Sequence, residues 1–432
     1  MDKTTFFWFR RDLRLNDNTG LQAALSANEN VQPLFIFDTT ILDELPEDDA
    51  RVTFIWDSLK SINTELKSLG SSLLVKHGNP IEVWKELIEE FDIDHVYTNR
   101  DYEPQAVERD HKVRFLLESN AIGFHDYKDH VFFEKDDVLK DDGTPYTVYT
   151  PYKNKWLKKF ERTNIDIPKD DPELLTHFTQ SRHTFPALKK IGFKRSSITI
   201  PKYNLKGVDK YDLHRDIPAK DATTRVGHHL RFGTISLRSL IYYSNPRNQT
   251  YLSEIIWRDF FTQILHHFPH VVDGPFKKKY AGIEWRNNEE EFEKWCKGET
   301  GYPMVDAGMR QLNKTGFMHN RVRMVTSSFL IKHLLIDWRW GEAYFAEKLL
   351  DFDLSANNGN WQWAAGTGCD AAPYFRVFNP TSQQEKFDPK FEYIKKWIPE
   401  FETNYVGPMV DHKMARLRAI DTFKKALELA ET

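Results

Sequence analysis

Apolar positions in the first 130 or so residues alternate between two patterns. Residues 6–9, 31–37, 72–75 and 93–98 are short apolar runs, the signature of strands buried on both faces. Between them, residues 51–69, 81–91 and 104–119 carry apolar side chains at helical spacing. Pro104 suits a first helical position, where the missing N–H is not needed. Strand and helix in alternation predict a parallel sheet covered on both faces. No G-x-G-x-x-G and no Walker loop accompanies these strands, so neither ordinary nucleotide-binding loop is expected. From about residue 135 to 205 the pattern lapses. Asp141-Asp142-Gly143 marks a turn, and Pro151, Pro168, Pro172, Pro186 and Pro201 punctuate the rest of that stretch. Tyr146, Tyr149, Tyr152 and Trp156 predict a connector that wraps against the protein, since a free linker lacks such residues. Beyond it the pattern is helical, over 235–243, 251–268, 289–296, 305–315 and 319–337. The expected organisation is an α/β domain over 1–134, a connector over 135–204 and an all-helical domain over 205–432.

Composition sharpens this picture in a few places. A chain of 432 residues is too long for one typical core, and 40% hydrophobic with 29% charged residues describes a globular protein. Twelve Trp, 17 Tyr and 31 Phe supply core volume and faces on which flat ligands stack. The net charge of -4 neither demands nor forbids nucleic acid, which needs only a local basic footprint. Two cysteines, Cys296 and Cys369, make no disulfide framework or metal cluster and suit a reducing cytoplasm. The apolar run near Met1 is too short for a signal peptide, and no run of eighteen apolar residues predicts a membrane span.

Five segments carry candidate chemistry. In Glu254-Ile255-Ile256-Trp257-Arg258, Glu254 and Trp257 share a helical face, which pairs a carboxylate with an indole for holding a flat heterocycle. Taken alone, the segment fits an ordinary amphipathic helix with a surface acid more readily. In His319-Asn320-Arg321-Val322-Arg323-Met324, Asn320 and Met324 again share a face, and an amide with a thioether suits the edge and face of a base. Arg321 and Arg323 point apart, one fit for a phosphate and the other for an internal carboxylate. Surface arginines and a core methionine are the plain alternative. Asp351-Phe352-Asp353 and the run from Asn357 through Trp361 to Trp363 crowd acids, amides and indoles in a way cores seldom do. On a helix Trp361 and Trp363 lie about 200° apart, which suits different tasks. Thr223-Thr224-Arg225-Val226-Gly227 puts hydroxyls before a helical stretch, a pattern equally fit for phosphate binding and for a helix cap; Tyr211 and Arg215 lie just upstream. The pairs His228-His229 and His266-His267 lack a surrounding metal-ligand set and read as packing residues.

Together these segments resemble the photolyase and cryptochrome family, and within it the class I cyclobutane-pyrimidine-dimer photolyases. The resemblance is densest from Trp295-Cys296-Lys297-Gly298 through Asp306-Ala307-Gly308-Met309-Arg310 and Asp370-Ala371-Ala372-Pro373-Tyr374-Phe375-Arg376 to Lys386-Phe387-Asp388-Pro389. Trp8-Phe9-Arg10-Arg11-Asp12-Leu13-Arg14-Leu15 extends it to the start of the chain. It implies a flavodoxin-like N-terminal domain, a connector and a helical domain that binds FAD. Tyr211, Thr223, Thr224, Arg225, Val226, Gly227, Tyr251, Asp351, Phe352 and Asp353 match its flavin-binding positions. Asn357 matches the residue facing the reactive flavin nitrogen, and Arg323 with Asp351 a buried ion pair beside the ring. Trp361, Trp338 and Trp285 match an electron-conducting tryptophan chain. Glu254, Trp257, Asn320, Met324 and Trp363 match the pocket for a flipped-out dimer; Arg215, Arg321, Gln383 and Lys386 fall at DNA-backbone contacts. Gly227-His228-His229 replaces the commoner Ser-Pro-His run, and Tyr251 stands where many relatives have tryptophan.

The implied activity is light-driven repair of cyclobutane dimers in UV-damaged DNA, with reduced FAD as the electron donor. A second, antenna chromophore (folate, deazaflavin or flavin) would sit near Tyr102-Glu103. A (6-4) photolyase is a rival, but its chemistry wants paired histidines where Asn320 and Met324 stand. A cryptochrome photoreceptor is the other rival; the full dimer-pocket set and the short stretch after residue 389 favour repair. The expected protein is a cytoplasmic monomer with no membrane or protein partner.

Overall fold

The computed structural model describes residues 3–163, 167 and 171–430; Pro168 lies outside them. The chain divides into two compact units. The first comprises Met1–Asp137, Lys159–Tyr203 and Arg225–Pro246, the second Val138–Lys158, Asn204–Thr224 and Arg247–Thr432.

The first unit is built on a wholly parallel sheet of β1 (Thr4–Phe9), β2 (Val31–Asp38), β3 (Leu74–Gly78), β4 (Ile93–Asn99) and β5 (Gly123–Tyr127). Its order is β3-β2-β1-β4-β5. This is the doubly wound sheet that the alternation predicts, with the order 3-2-1-4-5 in place of the 2-1-3-4-5 of flavodoxin itself. Successive residues of a strand face opposite sides, so each apolar run feeds two cores. Phe7, Phe9, Phe35 and Phe37 pack with Leu21, Leu59 and Leu66 on one face. Phe6, Trp8, Leu34 and Ile36 pack with Trp84, Leu87 and Val113 on the other. Helix Pro104–Ser119 has the predicted bounds, with Pro104 in its first turn.

The second unit is helical. Its core gathers Trp295, Met309, Leu312, Phe329, Trp338, Phe345 and Trp361. Two glycines permit close helix crossings. A Cβ on Gly359 would lie 2.1 Å from the Phe261 ring, and one on Gly341 2.1 Å from the Trp361 ring. The first crossing sets helix Leu354–Ala365 directly against helix Gln249–His267, which positions the site.

Several elements differ from expectation. β5 was not foreseen, because Phe124 is its only fully buried residue and leaves no apolar run. Helix Thr19–Ala27 was not foreseen either. The predicted helix over 319–337 is helix Asn320–Ser328 followed by a wide π-turn at Phe329–His333 and a left-handed Leu335 (φ 52°). Asp337 then caps a separate helix, Trp338–Lys348, by accepting from the Arg339 N–H at 3.0 Å. Within the predicted connector, Tyr149–Phe160 is a regular helix. Its Tyr152 and Trp156 are fully buried, and Trp156 Nε1 donates to Asp259 at 3.1 Å.

Candidate active site

The second unit contains a cavity walled by three helices and the turn between two of them. Asn320, Arg323 and Met324 come from helix Asn320–Ser328. Asp351, Phe352 and Asp353 form the turn, and Asn357, Trp361 and Trp363 follow on helix Leu354–Ala365. Phe345 closes it from helix Trp338–Lys348. Local sequence explains each wall. His319 caps its helix by accepting from the Arg321 N–H at 3.1 Å, which sets Asn320 and Met324 one turn apart on the same face. Asp353 caps the next helix by accepting from the Ala356 N–H at 3.3 Å.

Arg323 is the fixed charge of this cavity. Its guanidinium reaches the Asp351 carboxylate at 2.9 and 3.1 Å, while its Nε donates to the Met318 carbonyl at 2.7 Å. The two indoles divide as the helical spacing requires. Trp361 is buried against Phe345 and Trp295, at ring distances of 5.0 and 6.2 Å, whereas Trp363 is half-buried. Trp338 shares the core of Trp361, and Trp285 packs on its margin against Phe423.

A second group assembles on helix Gln249–His267. Asn248 caps it through the Tyr251 N–H at 3.0 Å and also holds Asp212. Tyr251 meets Tyr211 edge-on at 5.0 Å and shares a hydroxyl bond of 3.0 Å with Thr224. One turn on, Glu254 is ion-paired with Arg215, whose guanidinium also lies over the Tyr211 ring. Burial pushes the Glu254 carboxyl up, against the pull of Arg215. A further turn on, Trp257 stacks flat on Tyr149, 3.5 Å between ring centres and 7° between planes. Tyr149 is itself held. Its hydroxyl donates to the Ser253 carbonyl at 2.7 Å, and its N–H to Asp370 at 2.8 Å.

Other predicted residues fall around these two groups. Arg321 pairs with Asp216 at 2.9 Å and lies over the Phe387 ring, as Lys386 does. Gln383 is on the same helix as Lys386, Pro380–Phe387, and its Oε1 is buried without a partner. The run from Thr223 to Gly227 divides between the units: Thr223 and Thr224 belong to the second, Arg225 to Gly227 to the first. His228 and His229 pack edge-on against Phe54 and bond the Pro201 carbonyl. Sequence reasoning missed two residues, Tyr149 and Glu342. Glu342 accepts from the Asn357 amide, and burial pushes its carboxyl up to about 7.

The first unit holds a cleft lined by the carboxyl ends of β1 and β2 and by residues that follow β4; the order of this doubly wound sheet reverses between β1 and β4, the place where such sheets bind ligands. Trp8, Arg10, Arg11, Arg109, Arg231 and Glu103 are among its walls.

Comparison with known proteins identifies the class. Residues 251–404 match the family model described as the FAD binding domain of DNA photolyase, and residues 5–173 the model described as DNA photolyase. The deoxyribodipyrimidine photo-lyase of Halobacterium salinarum is 34% identical, over 97% of this chain and 98% of its own. A class III photolyase from Agrobacterium tumefaciens superposes with a TM-score of 0.87 at 31% identity, covering 99% of this chain and 98% of that one. An archaeal photolyase from Sulfolobus tokodaii, solved with two FAD molecules, gives 0.84 at 36% identity, covering 98% and 100%. The chain belongs to the DNA photolyase family. It is a flavoprotein lyase of DNA repair, and its cofactor is FAD. The cavity fits such a group. It offers an indole wall, a guanidinium held by a carboxylate, and the Asn357 Oδ1, which takes no hydrogen bond from any described residue. No helix among the described residues is long and apolar enough to cross a membrane.

Proposed function

We propose that this enzyme repairs cyclobutane pyrimidine dimers in DNA under blue light, as class I photolyases do. The observation that carries this reading is the pairing of the polar, indole-walled cavity with Glu254 and Trp257 on the helix packed against it. Reduced FAD, held in the cavity by residues such as Asn357 and Arg323, would supply the one-electron chemistry by which the dimer's four-membered ring opens. The chain does the rest. Asn357 and the Arg323–Asp351 pair would hold the flavin ring, and Tyr211, Thr223, Thr224 and Tyr251, of the same unit, would contribute to its seat. Trp257 and Trp363 hold the faces of the flipped-out dimer, and Met324 fills the space between. Glu254 and Asn320 bond its polar edge, with Glu254 stabilising the charge that develops there. Trp361, Trp338 and Trp285, all in or on one core, carry an electron inward. Phosphates of the damaged strand compete with Glu254 and Asp216 for Arg215 and Arg321, and Gln383 and Lys386 extend that contact. The cleft of the first unit is the place for an antenna chromophore.

The test is a repair assay on an oligonucleotide carrying one thymine dimer, with reduced enzyme, in darkness and in blue light. Light-dependent return of intact thymines is expected. No repair by flavin-loaded, reduced enzyme removes the reading, and repair of a (6-4) lesion instead would reassign the substrate. Asn320 and Met324 occupy the positions that argue against that outcome.

Tyr149 gives a second expectation. It covers one face of Trp257 and so holds the indole for the substrate. An aromatic pair is worth about 1 kcal/mol, or about fivefold. Tyr149→Ala should raise KM for dimer DNA by that factor and leave kcat unchanged, and Tyr149→Phe should restore most of the loss. An equal fall in kcat would mean that the ring does more than hold Trp257.

A further inference from the structure

The first unit carries a second groove, at the amino ends of β2 and β3. It encloses about 940 Å³, a volume suited to a small molecule. Two stretches far apart in sequence form it: residues 67–72, which lead from helix Ala50–Ser68 into β3, and residues 180–185. Serines clamp the two together. Ser72 Oγ accepts from the His183 N–H at 2.7 Å and lies 3.0 Å from Ser181 Oγ, which accepts from the Ser72 N–H at 3.1 Å. The walls are thus set before any ligand arrives. No acid is among the described residues that line the groove. Lys67 and Arg182 stand exposed on its walls, and neither has an ion pair among the described residues. In the cleft at the carboxyl ends, by contrast, Arg10, Arg11, Arg109 and Arg231 are all paired with carboxylates. Glu90, whose field reaches His183, is itself bonded to Lys76 at 2.9 Å. Ser71 also lines the groove; it is 1% exposed, and its Oγ has no hydrogen-bond partner. A buried hydroxyl left unbonded is costly, and an oxyanion is the acceptor that would relieve it.

Two further walls ask for more than an anion. Gln32 Nε2 donates to the carbonyls of Pro33 and Ser72, both at 2.9 Å, which leaves its Oε1 to accept from His183 Nε2–H at 3.2 Å. Burial pushes the imidazole down, so the ring is neutral and Nδ1 keeps its lone pair. That nitrogen accepts from an O–H or N–H. Phe185 adds a flat apolar face, braced edge-on by Trp56 at 5.5 Å, whose Nε1 donates to the Pro186 carbonyl at 2.8 Å. We propose that this groove binds a nucleoside phosphate: the phosphate at Arg182, Lys67 and Ser71, the base on Phe185, and a ribose hydroxyl or base N–H on His183. Inorganic phosphate would leave the ring and the imidazole unused, and a nucleoside would leave the two cations unpaired. The site lies on the first unit alone and stands apart from the light reaction.

The test is calorimetric titration of the FAD-loaded protein with AMP, GMP, CMP and UMP, and with adenosine and inorganic phosphate for comparison. At least one nucleotide should bind, with adenosine and phosphate each at least about tenfold weaker. Arg182→Ala should weaken the nucleotide about tenfold, the value of one charge-assisted hydrogen bond. Phe185→Leu should weaken it by a similar factor through lost stacking. FAD content and repair should be unchanged in both. No binding by any of the four nucleotides overturns the inference. Equal affinity for inorganic phosphate overturns it too, since the base would then have no part. Unchanged nucleotide affinity in Arg182→Ala does the same by placing the nucleotide elsewhere, as in the cleft at the carboxyl ends of the strands. Arg182 is exposed, so that variant decides the matter even if Phe185→Leu fails to fold.

Discussion

Trp257→Ala is expected to weaken binding of dimer-containing DNA about thirtyfold while leaving FAD content and binding of undamaged DNA unchanged. Stacking a base on an aromatic ring is worth about 1–3 kcal/mol, and the middle of that range is about thirtyfold. Trp257 is well prepared for the task. It is half-buried, with Tyr149 flat on one face and Phe261 5.4 Å away, so little rotamer freedom is left to lose on binding. On the proposed reading undamaged DNA keeps its bases in the stack and meets the protein through its phosphates, so loss of Trp257 should not affect it. FAD is spared because Trp257 does not line the cavity. Fluorescence anisotropy with matched damaged and undamaged oligonucleotides separates the cases. An equal loss on both would show that Trp257 supports the DNA surface in general and does not read the lesion.

The fold was legible where local chemistry was unambiguous. Pro104 marked its helix start, and the apolar runs of β1, β2 and β4 announced a sheet buried on both faces. It was illegible where burial erased the pattern. Every residue from Phe329 to Leu335 is buried, so no polar face marks the wide turn that ends the helix begun at Asn320. Gly123-Phe124-His125-Asp126-Tyr127 fails in the opposite way: an edge strand with one fully buried side chain carries too little apolar signal.

The site divides along the same line. Neighbours on one helix turn, such as Glu254 with Trp257 and Asn320 with Met324, follow from spacing alone. The partner of Arg323 could be sought among nearby carboxylates, and Asp351 was found through resemblance to a family. Tyr149 and Glu342 could not be reached either way. Tyr149 lies in the stretch read as a connector, 108 positions before Trp257, and nothing in either segment's period points to the other. Glu342 sits on helix Trp338–Lys348, which lies outside every predicted helical range, so its approach to Asn357 had no element to stand on. Contacts between elements are set by packing, here by the crossings at Gly341 and Gly359, and a single sequence does not display them.

Loss of the Arg323–Asp351 pair should have the largest effect on the cofactor. In Asp351→Ala the guanidinium keeps its bond to the Met318 carbonyl but loses both carboxylate contacts, at the wall of the cavity. Removing one member of a buried pair costs about 3–5 kcal/mol, since the other charge is left uncompensated. Arg323 and Asp351 retain 26% and 20% side-chain exposure, so water compensates in part and a cost of about 2 kcal/mol is the fair expectation. If that cost falls on the flavin seat, FAD binds about thirtyfold more weakly and the purified protein comes out largely colourless. Asp351→Asn retains an oxygen acceptor without the charge and should fall between the two. Flavin stoichiometry after gel filtration, with circular dichroism to check the helices, decides the matter. A colourless but folded Asp351→Ala protein places the pair in the flavin seat. A yellow protein with a lowered Tm would instead assign the pair to joining the turn at 351–353 to helix Asn320–Ser328, and would leave Asn357 as the principal polar anchor on that side of the cavity.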